Sequence, residues 1–248
     1  MKILQYCKSS KYPIEIIYSE NIEKNFELHN HVKHYIVSFV IKGKVSVEIN
    51  EKLYEYTSGQ IYIIPPYTAH TSSQNKNTSL VTLCIGTSFI EGYSLNSAKE
   101  IVEKLIAKST VFEFLQNAQI ENLLASLDEI YSFHTMNERE FNDEINTLLK
   151  MIISKPESEM SMDTLADEIF VSKYYMIRKF KKIIGMTPHQ FHIQNRIRKA
   201  QYLLSNNKTV AEVSAELGFY DQSHFNKSFQ KIVGISPLEY INSKLEIN

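Results

Sequence analysis

From about Ile14 to Ile85 the apolar residues arrive in short runs rich in Val, Ile, Tyr and Phe: EIIY, HYIVSFVIKGKVSVEI, YEY, QIYIIP and SLVTLCI. Lys42-Gly43-Lys44, Thr57-Ser58-Gly59-Gln60 and Pro65-Pro66 separate them, the pattern of strands joined by tight turns. Val45, Val47 and Ile49 alternate with Lys44, Ser46 and Glu48, which predicts a strand with one buried and one wet face. Several such strands at this spacing predict a small barrel or sandwich.

Near Ser97 the period changes. Ile101, Leu105 and Ile106, then Ile120, Leu123, Leu124, Leu127, Ile130 and Tyr131, recur at three and four residues, as on one face of a helix. The same period continues in EFNDEINTLLKMIIS. Such stripes serve as intramolecular core or as a dimer interface. SKPESE, from Ser154 to Glu159, is polar and carries a helix-breaking proline, which makes it the candidate linker. Beyond it the chain reads as helical, with Ser161 and Ser172 placed to cap helices and Thr209 with Glu212 forming a capping box.

This last part contains an internal repeat. Aligning Phe180 with Phe229 also aligns Arg178 with Lys227, Lys182 with Lys231, Gly185 with Gly234, Pro188 with Pro237 and Phe191 with Tyr240. Upstream, with one residue removed from the turn, Leu165 meets Val213, Ala166 meets Ser214 and Ile169 meets Leu217. Each copy predicts a short helix, a tight turn and a longer second helix. Leu165, Ala166 and Ile169 are expected to face Met176, Phe180 and Ile183; Val213 and Leu217 are expected to face Phe225, Phe229 and Ile232. Gly218 follows Leu217 where a helix should stop. Pro188 and Pro237 suit first-turn positions, with Thr187 and Ser236 ahead of them as caps.

Charge divides along the same line. Residues 1–160 carry 15 Lys or Arg against 20 Asp or Glu, and residues 161–248 carry 12 against 8. A net +4 in the second part is permissive for nucleic acid. Within it, the outward face of the first long helix offers Lys173, Tyr174, Ile177, Arg178 and Lys181, and that of the second offers Gln222, Ser223, Asn226, Lys227 and Gln230. Amide and guanidinium groups pair two-pronged with purine edges in a major groove, while Lys, Ser and backbone amides hold phosphates. A solvated polar surface explains any one of these residues. The joint pattern, repeated in two helix pairs, points to duplex DNA.

The remaining 248-residue composition excludes other classes. No run of eighteen uncharged apolar residues is present, and MKILQYCKSSKYPIEII has no apolar core or cleavage site of a secretory signal. Two cysteines, Cys7 and Cys84, do not make a disulfide scaffold, which fits a reducing, cytoplasmic setting. Neither a GxxxxGK[ST] nor a GxGxxG loop occurs.

Gly218, Phe219, Ser223, His224, Phe225, Lys227, Phe229, Gly234, Ser236, Pro237 and Tyr240, preceded by Leu165, Ala166, Ser172, Met176, Arg178, Phe180, Lys181, Lys182, Gly185, Thr187 and Pro188 and linked by Arg196 and Ala200, resemble the AraC/XylS family of transcription regulators. The resemblance covers about Ser161 to Tyr240. It implies two helix-turn-helix units, with Tyr174, Ile177, Arg178, Gln222, Ser223, Asn226 and Lys227 at base-reading positions and Lys173, Lys181 and Lys231 as further DNA contacts. Ser214 stands where the family generally has Ala, and Gln230 where a Lys is usual. The implied protein is a promoter-binding regulator, an activator more than a repressor, with RNA polymerase and a second copy of the chain as further candidate partners.

In the strand-rich part, His29 and His31 point to one side of a strand, and His70 follows Pro65-Pro66-Tyr67-Thr68-Ala69. With Gly43 and Gly59 at matching turns, this resembles the cupin barrel at the N-terminus of many AraC-family regulators. Metal-bearing cupins place a Glu after the HxH pair; Tyr35 and Ile36 occupy that region here. The expected occupant is therefore a small organic effector held by His29, His31, Tyr35 and His70, with no cofactor. A metal on three imidazoles, or histidines that only support the fold, are the other readings. The expected organisation is α+β: a cupin-like effector-sensing barrel over 1–96, a helical dimerisation or packing region over 97–153, a linker at 154–160, and an all-α DNA-binding domain over 161–248. A metal-dependent cupin enzyme and a constitutive DNA-binding protein without effector are the competing functions.

Overall fold

The computed structural model describes residues 2–136 and 141–247, and the chain divides into two compact units, one of residues 1–25, 30–138 and 243–248 and one of residues 26–29 and 139–242. Residues 137–140, which the sequence groups with the helical region at 97–153, lie outside the described residues.

The β-rich runs form β1 (Ile3–Ser9), β2 (Ile14–Glu20), β3 (Lys24–His29), β4 (His34–Lys42), β5 (Lys44–Ile49), β6 (Lys52–Thr57), β7 (Ile61–Ile64), β8 (His70–Gln74) and β9 (Ser79–Gly86). Among the described residues one sheet runs β1-β2-β9-β4-β7 and a second runs β3-β8-β5-β6. Near the end of the chain, β10 (Lys244–Ile247) adds to the first sheet in parallel with β1. On β5, Val45 and Val47 are buried while Lys44 and Glu48 are exposed, as the alternation predicts. Gly43 turns β4 into β5 at φ 84, where a Cβ would lie 2.7 Å from the Asn77 carbonyl oxygen. Only glycine fits there without displacing backbone.

β4 is buried on both faces, and its period of two sends alternate residues into different cores. Ile36 and Val40 join Val45, Val47, Tyr62, Ile64 and Leu80 between the sheets. Tyr35, Val37 and Phe39 join the helices behind the first sheet. Those helices are α1 (Thr87–Gly92), α2 (Leu95–Lys108) and, after a 3₁₀ turn at Thr110–Phe114, α3 (Asn117–Met136). Val102, Ile106, Leu123, Leu127 and Ile130 are completely buried in that second core. The apolar stripes of α2 and α3 are thus intramolecular packing.

The second unit holds α4 (Asp143–Ser154), α5 (Met162–Glu168), α6 (Lys173–Ile184), α7 (Pro188–Ser205), α8 (Val210–Glu216), α9 (Gln222–Val233) and α10 (Pro237–Ser243). The sequence groups α4 with the preceding helices; the structure moves it. Its stripe of Ile145, Leu148, Leu149 and Ile152 is buried, it packs on α7, and Glu144 pairs with Lys179 of α6. The polar segment at 154–160 consequently lies inside the second unit. It has no regular structure after Ser154, and buried Arg196 of α7 holds it: Nε donates to the Pro156 carbonyl at 2.9 Å and Nη2 to the Ser158 carbonyl at 3.2 Å.

Candidate nucleic-acid interface

α5 packs on α6, and α8 packs on α9. Ser172 and Asp221 cap α6 and α9, each accepting a bond from a backbone N–H in the first turn. Four-residue spacing buries Met176, Phe180 and Ile184 on α6 and Phe225, Phe229 and Val233 on α9. This corrects the sequence register at the ends: Ile183 and Ile232, expected to be buried, are exposed and half-buried, and their C-terminal neighbours fill the core. Counting in fours from Phe180 and Phe229 reaches Ile184 and Val233. Phe180 meets Phe191 edge-on with ring centroids 5.6 Å apart, and Phe229 meets Tyr240 in the same way at 5.6 Å. The two copies are held by the same contact.

Thr209 and Glu212 form the predicted capping box at the start of α8, and Thr187, predicted only as a cap, forms a further box with Gln190 at the start of α7. Ser236 and Glu239 exchange the equivalent bonds at the start of α10. Asp221 was not legible as a cap beside the Gly218 turn, although Asp before a helix is a common cap signal.

With the apolar face turned inward, Lys173, Tyr174, Arg178 and Lys181 are exposed on α6, and Gln222, Ser223, Lys227, Gln230 and Lys231 on α9. The Arg178 guanidinium stacks over the Tyr174 ring at 5.7 Å, which fixes both on one side of α6. Ile177 is half-buried. Lys173 is paired with Asp163 at 3.0 Å, and Lys231 with Glu27 at 2.6 Å. Asn226 is half-buried, and its Oδ1 is enclosed without a hydrogen bond. A two-pronged contact to a purine requires that amide to rotate outward.

Behind α9, Arg196 also donates through Nη1 to the Gly218 carbonyl at 3.3 Å and lies over the Phe219 ring at 5.3 Å. His192 Nε2 accepts from Arg196 Nη2 at 2.9 Å. Burial, then the neighbouring Arg196 and His189 charges, push the His192 pKa down to about 4. The sequence gives no sign of this pair beyond an i,i+4 spacing on the inner face of a long helix.

In the β-rich part, ligand atoms of His29, His31 and His70 all lie within 4.8 Å of one another. His31 and His70 stack with centroids 5.4 Å apart. His29 Nδ1 donates to the Glu27 carbonyl at 2.8 Å and His70 Nδ1 to the Thr68 carbonyl at 2.9 Å. Because a carbonyl only accepts, each of these rings carries its proton on Nδ1 and, when neutral, its lone pair on Nε2. Tyr35 does not join them. It sits in the core behind the first sheet, and its hydroxyl bonds His134 Nδ1 at 3.0 Å, because strand alternation turns it to the opposite face from Ile36.

Comparison with known proteins agrees with this division. Residues 20–86 match the cupin domain model and residues 165–243 match a helix-turn-helix domain model. The Msm operon regulatory protein of Streptococcus mutans is 22% identical over 248 residues, covering 90% of this chain and 89% of that one. The chain's domain matches and its relatives are those of AraC-family regulators. The HTH-type transcriptional regulator MtrA of Neisseria gonorrhoeae is 33% identical over 94 residues, which cover 38% of this chain and 31% of that protein. Apo ToxT of Vibrio cholerae shares the fold over 95% of this chain and 99% of its own, with a TM-score of 0.64 at 12% identity. The chain is thus a DNA-binding transcription regulator with a cupin domain. Among the described residues no helix is long and apolar enough to cross a membrane.

Proposed function

We propose that this regulator is an effector-controlled activator that reads promoter DNA in the cytoplasm with α6 and α9. The observation that carries the reading is the repeated pair: two recognition helices with the same buried spacing, each presenting an exposed polar face. Base contacts fall to Tyr174, Ile177, Arg178, Gln222, Ser223, Asn226 and Lys227, and backbone contacts to Lys173, Lys181 and Lys231. Activation is supported by relatives such as the transcriptional activator RhaR of Escherichia coli, 24% identical over 149 residues. A ToxT structure bound to an unsaturated fatty acid shares the fold with a TM-score of 0.61, which makes a small-molecule effector a natural expectation for the cupin domain here. RNA polymerase and a second copy of the chain are the partners an activator of this kind requires.

The test is binding of the full chain to a duplex from its own upstream region, with and without a panel of small metabolites. Sequence-specific binding that a metabolite shifts supports the reading; binding no tighter than to random duplex rejects it.

The histidine group supports a second occupant. Its three imidazoles and the Nδ1–H bonds of His29 and His70 suit a divalent late transition metal, with His29, His31 and His70 as ligands. Such an ion would supply a positive centre for an oxygen-bearing effector. Tetrahedral absorption bands on cobalt addition, lost in His70→Ala, support this occupant, and an unchanged spectrum rejects it. A metal-dependent enzyme would need the same ion, whereas a constitutive regulator would show neither metal nor metabolite dependence.

A further inference from the structure

The two most exposed large apolar side chains among the described residues lie in the corresponding turns of the repeat. Phe170 is 96% exposed and Tyr220 is 93% exposed. Each lies in the turn that leads into a recognition helix, Phe170 two residues before the cap Ser172 and Tyr220 directly before the cap Asp221. Single exposed aromatics are ordinary. Their recurrence at the same turn of both copies is not explained by packing, because neither ring packs against the fold.

The turns themselves are superposable in their bonds. Phe170 N–H donates to the Asp167 carbonyl and Val171 N–H to the Ala166 carbonyl; Gly218 N–H donates to Ala215 and Phe219 N–H to Ser214, all at 3.1 Å. Phe170 therefore stands where the second copy has Gly218, and both adopt positive φ, 54 and 66. A left-handed conformation is easy for Gly and unfavourable for Phe. The first copy keeps a ring at a strained position that yields no packing in the free protein, and the second presents its ring two residues further on, at Tyr220.

We propose that Phe170 and Tyr220 are paired contacts to the DNA backbone, each ring packing on deoxyribose at the wall of the groove that its helix enters. This rests on the DNA reading of α6 and α9. Recognition helices of this motif meet base edges with their N-terminal residues, so the turn just ahead of them faces the strand that borders the groove. Sugar edges are the apolar surface available there. Tyr174, 71% exposed in the first turn of α6, continues the same surface toward the bases. Uncharged rings add affinity without releasing counterions, so their contribution is independent of both sequence and salt.

The experiment measures binding of the full chain to its upstream duplex and to random duplex at several salt concentrations, beside melting temperature and sedimentation. Phe170→Gly and Tyr220→Ala are expected to weaken both kinds of binding by about three- to tenfold each, the yield of partly burying an aromatic ring. The salt slope stays as in the wild type, Tyr220→Ala melts as the wild type, and Phe170→Gly melts at the same or a higher temperature. Phe170→Tyr and Tyr220→Phe retain wild-type affinity. Unchanged affinity in the double variant, or a loss that follows a lower melting temperature, overturns the assignment. Altered sedimentation with unchanged DNA affinity also overturns it and assigns the rings to a second copy. A wild-type chain that binds no DNA removes the underlying reading as well, whereas intact binding without a ring effect removes this inference alone.

Discussion

Gly185 and Gly234 end α6 and α9 with the same backbone angles, φ 83 and ψ −5, and each donates its N–H to the carbonyl four residues earlier. The two recognition helices thus stop in the same left-handed cap. Gly185→Ala should lower the stability of the second unit by about 1 to 2 kcal/mol, since a Cβ disfavours this conformation. Urea unfolding followed by helical signal checks it, and no loss would mean the cap relaxes without strain.

The inner and outer faces of α6 should respond differently. Phe180→Ala empties a fully buried site against Phe191 and is expected to cost about 3 to 5 kcal/mol of stability. Arg178→Ala leaves the fold within about 0.5 kcal/mol and weakens specific DNA binding by about 1 to 3 kcal/mol. Parallel melting and binding curves on both variants separate the two effects.

His192 sets a pH dependence with a definite sign. Its folded pKa, about 4, lies below the ordinary 6.5, so the unfolded chain binds more protons between those values. Stability from this group is complete above about pH 6.5 and is lost as the pH falls toward 4, where protonation also ends the acceptor role toward Arg196. His192→Gln should flatten the melting-temperature profile across that window; an identical profile would place the acid sensitivity elsewhere.

Arg196→Met keeps much of the volume and removes the bonds to Pro156, Ser158 and Gly218. Leaving those carbonyls without their partner should cost about 2 to 4 kcal/mol and expose the segment at 154–160 to limited proteolysis. Resistance equal to wild type would show that the segment is held by other contacts.

The repeat itself was readable because its signals are local: Phe180 with Gly185 and Pro188 recurs as Phe229 with Gly234 and Pro237, and caps such as Thr187 and Thr209 announce themselves within three residues. What stayed hidden depends on distant partners. The stripe of α4 is visible in the sequence, but its choice of α7 over α3 is a tertiary outcome. Tyr35 lies in the strand region of a histidine cluster, yet a period of two assigns it to the other face, which spacing from His31 alone does not reveal. The helix register that buries Ile184 and Val233 needed only a stricter count from Phe180 and Phe229.

The central claim is that two equivalent helices read one duplex. Chemical footprinting of the full chain on its upstream region tests it most directly. Two protected major-groove segments about one helical turn, roughly 34 Å, apart on one face are expected, with Arg178→Ala erasing one and Lys227→Ala the other. A single protected segment, or both variants weakening the same one, would contradict the account.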